Sequence, residues 1–440
     1  MRPPFAFPLF CLLLIGWLHA GRAQQPAPRK SIAPYVPATW KAGAASVIVT
    51  PEKNLFMAGY AARKKPAEGK VQDLFAKALA LEDEQGGRAV IVTMDLIGVP
   101  QAVRRTVAAQ AEQRFHLPPA GLLMNASHTH CGPSLRPVAP TEQELEKPGI
   151  RDSYEYTQGL EEKLVAVIGK ALDNLQPARL TWNRARCGFA MNRRRDYSLP
   201  AEDPNAKLAP NPNGPVDQEV PALRVEAPDG TLRAVLFGYA CHNTSLGFYN
   251  YCGDYAGYAQ EYLQEHRPGF TALFLMGCGG DQNPYPRRSE VVPGISDVEL
   301  TQQHGRSLAN AVEMAMTVNP RPIHGPIRSA FEEIALDYAK PGRPPHDYPV
   351  QVIHLGPDLV LAALGSEVVV DYSLRLKREL AGPSAVWIAG YSNDYCGYMP
   401  SLRVQKEGGY EAAAGWADTI EERIVGKVHE LHQRLSEPAP

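Results

Sequence analysis

Residues 124–134 read MNASHTHCGPS, with His128 and His130 two apart at the end of an apolar run. Neutral imidazole is the commonest protein ligand for a metal ion. On an extended segment, residues i and i+2 share one face, so an HxH pair there presents both rings together. Other apolar runs end in the same way. AVLFGYACHNTS stops at His242, and ALFLMGCGGDQNP stops at a Gly-rich turn with Asp281 and Asn283. LVLAALGSE ends on Glu367, and VWIAGYSNDYCGYMP carries Asn393, Asp394, Tyr395 and Tyr398. Each residue alone has a bland reading: a capped core histidine at His242, a carboxylate at a helix N-terminus at Glu367, a half-buried phenol at Tyr398. Together they form a nitrogen and oxygen ligand set without thiolate, which suits zinc and is also compatible with iron or manganese.

Those residues need elements to bring them together. Runs at 44–50, 78–83, 88–96, 121–127, 222–226, 232–241, 271–276, 350–355, 358–364 and 385–391 are apolar and β-favouring, so they predict strands. Helical spacing predicts helices at 99–115, 156–175, 254–266, 298–317, 366–380 and 411–435. The expected fold is α/β, or mixed α+β, with central mixed sheets flanked by helices. In such sheets ligand sites collect at the carboxyl ends of strands. The turn-rich stretch 196–221 reads as an active-site flap or lid.

The chain has 440 residues, 44% hydrophobic and 21% charged, with net charge −2. That leaves no electrostatic footprint for nucleic acid. Arg2, the apolar run FAFPLFCLLLIGWLHA and the small-x-small GRA ending at Ala23 predict a signal peptide over 1–23. A Pro-rich lead-in follows at 24–41, then a single domain over 42–440. The protein is expected to be exported, periplasmic or extracellular. Six cysteines follow the cleavage point without a CxxC pair, which argues against a thiolate zinc cluster, and fifteen pairings are open to them. No GxSxG elbow supports a serine hydrolase.

The chain resembles the neutral (alkaline, non-lysosomal) ceramidase family over about residues 42–414. The opening AGAASVIVTPEKNLFMAGYAARKK resembles that family's start, and NASHTHCGP its T-H-T-H-S-G-P. FAMNRRR, ACHNTSLG, GCGGDQNP, LGSE and YSNDYCGYMPSLRVQKEGGYEAA then follow in the family's order. The resemblance implies one zinc ion held by His128, His242, Glu367 and Tyr398. It implies that His130 faces the scissile group, that Tyr410 hydrogen-bonds the developing oxyanion, and that Arg193, beside Asn192 in the N-R motif, lines the substrate pocket. Asp281 and Asn283 fall in the family's catalytic G-D-V-S-P-N motif. The implied reaction is zinc-dependent hydrolysis of the amide bond of an N-acyl, ceramide-like lipid by metal-activated water, with peripheral membrane contact. An exported metal-binding protein with another amide or ester substrate, or no turnover, is the alternative.

Three departures stand out. Asn283 replaces the motif's serine, and Asn cannot act as a nucleophile or titrate. The longer family members carry a C-terminal immunoglobulin-like domain, whereas this sequence ends on a helix-like run and a Pro-rich tail. Cys131 and Cys396 both replace family serines, which admits either a disulfide between them or two separate small residues.

Overall fold

A computed structural model describes residues 39–204, 210–288 and 292–437. The expected signal peptide and nearly all of the lead-in lie outside the described residues. The fold is mixed α+β, in agreement with the sequence pattern. A nine-stranded sheet runs in the order Thr271–Met276, Leu232–Tyr239, Glu219–Glu226, Gln176–Arg186, Trp40–Ile48, Phe75–Glu82, Arg88–Met94, Leu122–Ala126, and Arg321–Pro322 pairs to the side of Gln176–Arg186. A four-stranded sheet is ordered Ile327–Leu336, His346–Leu355, Leu359–Leu364, Ala385–Ala389.

Most neighbours are antiparallel, and the exceptions position the site. Arg88–Met94 and Leu122–Ala126 are parallel and joined through helix Gln101–Phe115. Leu232–Tyr239 and Thr271–Met276 are parallel and joined through helix Asp254–Gln264. Leu359–Leu364 and Ala385–Ala389 are parallel and joined through helix Val370–Glu379. A parallel pair needs such a crossover and is buried on both faces. Accordingly Leu122–Ala126 and Leu359–Leu364 are buried throughout, and Thr271–Met276 is buried beyond its first residue. Continuous apolar sequence is the result.

The two sheets share an apolar layer that includes Trp40, Leu79, Leu123, Leu236, Leu273, Leu361 and Trp387. Helices cover the outer faces. Ile150–Asp173 contributes Leu160, Leu164 and Ile168 to one outer core. Asp297–Thr317, started by a Ser296/Glu299 capping box, contributes Leu308 and Val312 to a second. Ile420–Ser436 contributes Ile424 and Val428 to a third, over the four-stranded sheet.

Several boundaries differ from the sequence pattern. The helix expected over 411–435 begins only at Ile420. Before it, Tyr410–Ala412 forms a 3-10 turn, Gly415 takes φ +68, and Trp416 bridges to Tyr338. The helix expected from 366 begins at Val370, because Glu367–Val368 pairs as a short parallel strand with Tyr398–Met399. Ser366 at φ 64 breaks any helical run there. Strands Gln176–Arg186 and Ile327–Leu336 were not signalled by an apolar run.

Candidate metal centre

The described residues place His128, His242, Glu367 and Tyr398 in mutual contact. Nε2 of His128 lies 3.2 Å from Oε2 of Glu367, and Nε2 of His242 lies 3.3 Å from the same oxygen. The Tyr398 hydroxyl is 3.4 Å from His242 Nε2. Nε2 of His130 is 3.1 Å from that of His128. All four residues of the first group lie at the carboxyl ends of crossover strands, where open sheets bind ligands.

Local backbone explains the aim of each side chain. His128 is not on an extended segment as the HxH spacing implies. Strand Leu122–Ala126 has ended, and His128 sits at φ 62 in the left-handed region. Its N–H donates to Leu96 O at 2.9 Å, and His130 N donates to Asn243 O. The two imidazoles therefore meet through a turn, with rings nearly perpendicular at 81°. Such a backbone costs on the order of 1–3 kcal/mol in a non-glycine residue and is concentrated at functional sites. Ser366, Tyr391 and Asn393 share it around the same centre. Glu367 and Tyr398 are direct partners in the two-residue parallel ladder, with Glu367 N donating to Gly397 O at 3.0 Å. The GCGGD turn packs so closely beneath Glu367 that a Cβ on Gly280 would lie 2.6 Å from Glu367 O.

Two ring hydrogen bonds decide the tautomers. Nδ1 of His128 faces Ile97 O at 2.6 Å, and Nδ1 of His242 faces Gly279 O at 2.6 Å. A carbonyl only accepts, so both Nδ1 atoms carry the proton and both Nε2 atoms present a lone pair towards Glu367. A backbone acceptor behind each ring is the support that metal-ligating histidines use. Burial, then Arg193, lowers the His242 pKa to about 4, so the ring is neutral at physiological pH. Burial works against the Glu367 carboxylate, but the adjacent His128 and His242 hold its pKa well below the usual range. Two neutral imidazole nitrogens, an ionised carboxylate and a phenol fit a divalent ion of the zinc class.

His130 is a different case. Burial, followed by His128 and His242, pushes its pKa well below 6.5. Its Nε2–H can only donate to the bare His128 Nε2, which leaves a buried Nδ1 with no hydrogen-bond partner among the described residues. The ring is held by Tyr60, with centroids 4.7 Å apart, and by Arg63, which donates to His130 O. Gly59, at φ +95, is required because a Cβ there would meet the His130 ring at 2.5 Å.

The remaining residues of interest divide. Arg193 donates to Glu411 Oε1 at 2.9 Å and to Asn283 Oδ1 at 3.4 Å, and its Nη2 is buried without a partner. Its guanidinium lies 5.3 Å from the Tyr398 ring centroid and 5.7 Å from that of Tyr410. Tyr410 is 70% exposed, beside Tyr398 at 5.1 Å. Asp281 and Asn192, expected in catalytic and substrate-binding roles, hydrogen-bond to each other. Both are buried and satisfied within the fold. Asp281 accepts from Asn192 Nδ2 and from Val370 N, each at 2.9 Å, and Asn192 also donates to Pro215 O. The same bonds pin the 196–221 excursion. Asn211 bridges to Asn192, and Asp217 N donates to Gln282 Oε1 at 2.9 Å, so the described parts of this stretch are tied to the site's support rather than free as a flap. Of the two readings of Cys131 and Cys396, the structure takes the separate residues: the six described cysteines are all free thiols. Cys131 Sγ faces Arg63, and Cys396 Sγ faces Ser366 at 3.1 Å.

Two asparagines brace the site, and the sequence pattern names only Asn393, as a member of its loop. Asn125 accepts from Met276 N at 2.8 Å and donates to Gly390 O at 2.7 Å, which joins three of the site-bearing strands. Asn393 accepts from Met124 N at 3.1 Å and donates to Gln351 Oε1 at 2.7 Å. Tyr395, named with the same loop, hydrogen-bonds Glu367.

The family described as neutral/alkaline non-lysosomal ceramidase, N-terminal, matches residues 41–284. That span contains His128, His130 and His242 but not Glu367, Tyr398 or Tyr410. Neutral ceramidase A of Dictyostelium discoideum is 26% identical over 229 residues, 48% of this chain and 31% of that protein. Neutral ceramidase B of the same organism is 29% identical over 237 residues, again 48% of this chain and 31% of the relative. The match thus spans about a third of these relatives. A solved ceramidase complexed with C2 superposes with TM-score 0.73 at 18% identity, covering 91% of this chain and 77% of that one. The neutral ceramidase from Pseudomonas aeruginosa superposes with TM-score 0.73 at 19% identity, covering 91% and 76%. At these identities the superpositions speak for the fold.

Proposed function

The chain belongs to the neutral/alkaline non-lysosomal ceramidase family, and from that premise we propose that it is a zinc-dependent amidohydrolase cleaving the amide bond of an N-acyl, ceramide-like lipid. The observation that carries this reading is the convergence of His128 Nε2, His242 Nε2, Glu367 Oε2 and the Tyr398 hydroxyl, with both imidazoles oriented by backbone carbonyls. These four residues would hold the ion. When bound, it supplies Lewis-acid polarisation and water activation near neutral pH.

The chain's own groups supply the rest. With His128 among the residues that would hold the ion, the Nε2–H of His130 would be free to donate to an amide oxygen as negative charge develops. A well-placed donor of this kind is worth about 3 kcal/mol. Burial holds the His130 pKa well below the usual imidazole range, which keeps the ring neutral and suits it to donating this hydrogen bond. Arg193 directs an unpartnered N–H into the same space and is kept rigid by Glu411 and Asn283. The exposed Tyr410 sits at the mouth, where a bound substrate would cover its hydroxyl and make it a second donor. Its ring and that of the nearby Tyr197, both exposed, offer an amphipathic rim suited to a lipid at a membrane surface. Among the described residues no helix is long and apolar enough to cross a membrane, and the apolar N-terminal run supports export.

Asn283 favours a second reading, in which the substrate is another amide or an ester. The motif's hydroxyl is replaced by an amide that already accepts from Arg193. A panel of N-acyl sphingoid bases, N-acyl amino acids and fatty esters, assayed with and without chelator, tests both. Chelator-sensitive release of fatty acid from an amide supports the proposal. Turnover indifferent to chelation, or none on any amide, overturns it.

A further inference from the structure

A second convergence of ligand atoms lies behind the first. His346 Nε2, Asp394 Oδ2 and Cys396 Sγ all lie within 4.8 Å of one another. His346 opens strand His346–Leu355, and the other two come from the loop after Ala385–Ala389. His346 Nε2 is 2.7 Å from Asp394 Oδ2. A fourth group joins them: the Ser366 hydroxyl is 3.2 Å from Asp394 Oδ2 and 3.1 Å from Cys396 Sγ. The Asp394 side chain is only 2% exposed, while His346 at 22% leaves a route from solvent.

We propose that His346, Asp394 and Cys396 form a second metal site, distinct from the His128/His242/Glu367 group, that takes a zinc-class divalent ion with Ser366 or water as fourth ligand. One imidazole, one carboxylate and one thiolate are ligands that zinc accepts in tetrahedral sites and that calcium and magnesium do not select. Two ligands on a tetrahedral zinc stand about 3.3 Å apart, so binding opens the present His346–Asp394 hydrogen bond by roughly 0.6 Å. The thiol proton leaves to solvent as the Cys396–metal bond forms. A plain His346–Asp394 bond would explain two of these residues but not the soft donor beside them.

The site is joined to the catalytic group by the chain itself. Ser366 precedes Glu367, Cys396 lies two residues before Tyr398, and Glu367 N donates to Gly397 O. An ion here therefore ties together the two segments that deliver Glu367 and Tyr398, a structural metal serving the first site.

Cobalt(II) titration of metal-free full-length protein, followed by absorption spectroscopy, tests this directly. The catalytic group has no sulfur ligand, so a near-ultraviolet thiolate-to-cobalt charge-transfer band reports the second site alone. The wild type is expected to develop that band with a bound equivalent of cobalt. Cys396→Ser should abolish it, His346→Gln should weaken cobalt affinity at this site at least tenfold, and Glu367→Ala should retain the band. Its retention in Glu367→Ala separates this site from the catalytic reading. Absence of the band in the wild type at saturating cobalt, or its persistence in Cys396→Ser, overturns the proposal.

Discussion

His130 and Glu367 are a few ångströms from the same centre yet are expected to fail in different ways. Glu367 is an ionised carboxylate shared by two imidazoles. Glu367→Ala removes a metal ligand, so zinc content and turnover should fall together, as elemental analysis beside an activity assay will show. His130 donates rather than ligates in this account. His130→Gln should lower kcat by about 10²–10³-fold, with zinc content unchanged and KM little affected. Loss of zinc in His130→Gln would place that ring among the ligands. At this scale much was legible. His128, His130, His242 and Glu367 each stand just after an apolar strand, Tyr398 follows in the loop beyond another, and the family resemblance gathered them as one set. Asp281 and Asn192 were legible as motif members but not as positioning groups, because a motif does not show where a side chain's hydrogen bonds go. Asn125 was illegible and Asn393 legible only as a loop member, since Met276 and Met124, which they bond, lie more than a hundred residues away.

Strands show the same division. Those of the crossover pairs are buried on both faces and so read as continuous apolar runs. Gln176–Arg186 alternates instead, with Ala178, Leu180 and Trp182 inward and the polar Arg179 and Thr181 between, and begins beside Pro177. Ile327–Leu336, at the edge of its sheet, keeps only Ile327, Ala330 and Leu336 buried. What aligns the ends of the site-bearing strands is Asn125. Asn125→Ala leaves Met276 N and Gly390 O buried without this partner, so it should cost about 3 kcal/mol in urea unfolding and weaken zinc binding. A second element is tied by histidines: His354, on strand His346–Leu355, meets His432 of helix Ile420–Ser436 at 3.0 Å. Burial, then His432 and Arg328, lowers the His354 pKa to about 4. The unfolded ring titrates near 6.5 and the folded ring near 4, so the unfolded state takes up the proton first. The stabilisation is complete above pH 6.5 and is lost as pH falls towards 4. Thermal denaturation should show Tm falling through that window, and His354→Gln should flatten the slope.

For the whole molecule, the proposed ion would join the ends of strands from both sheets, through His128 and His242 on one side and Glu367 and Tyr398 on the other. Binding to the folded state alone adds about 2.7 kcal/mol at a free zinc concentration one hundred times Kd. Chelation should therefore lower Tm, and restored zinc should raise it again, with the shift absent in His242→Ala. The expected mixed sheets flanked by helices describe the described residues well, because three crossover units set the architecture and each announces itself in hydropathy.

Anomalous diffraction at the zinc edge, from crystals of protein that hydrolyses an N-acyl substrate, tests the central claim most directly. The account predicts a peak about 2.0–2.2 Å from Nε2 of His128, Nε2 of His242 and an Oε of Glu367, with Tyr398 adjacent. An active protein whose crystals show no anomalous density among those side chains would contradict it.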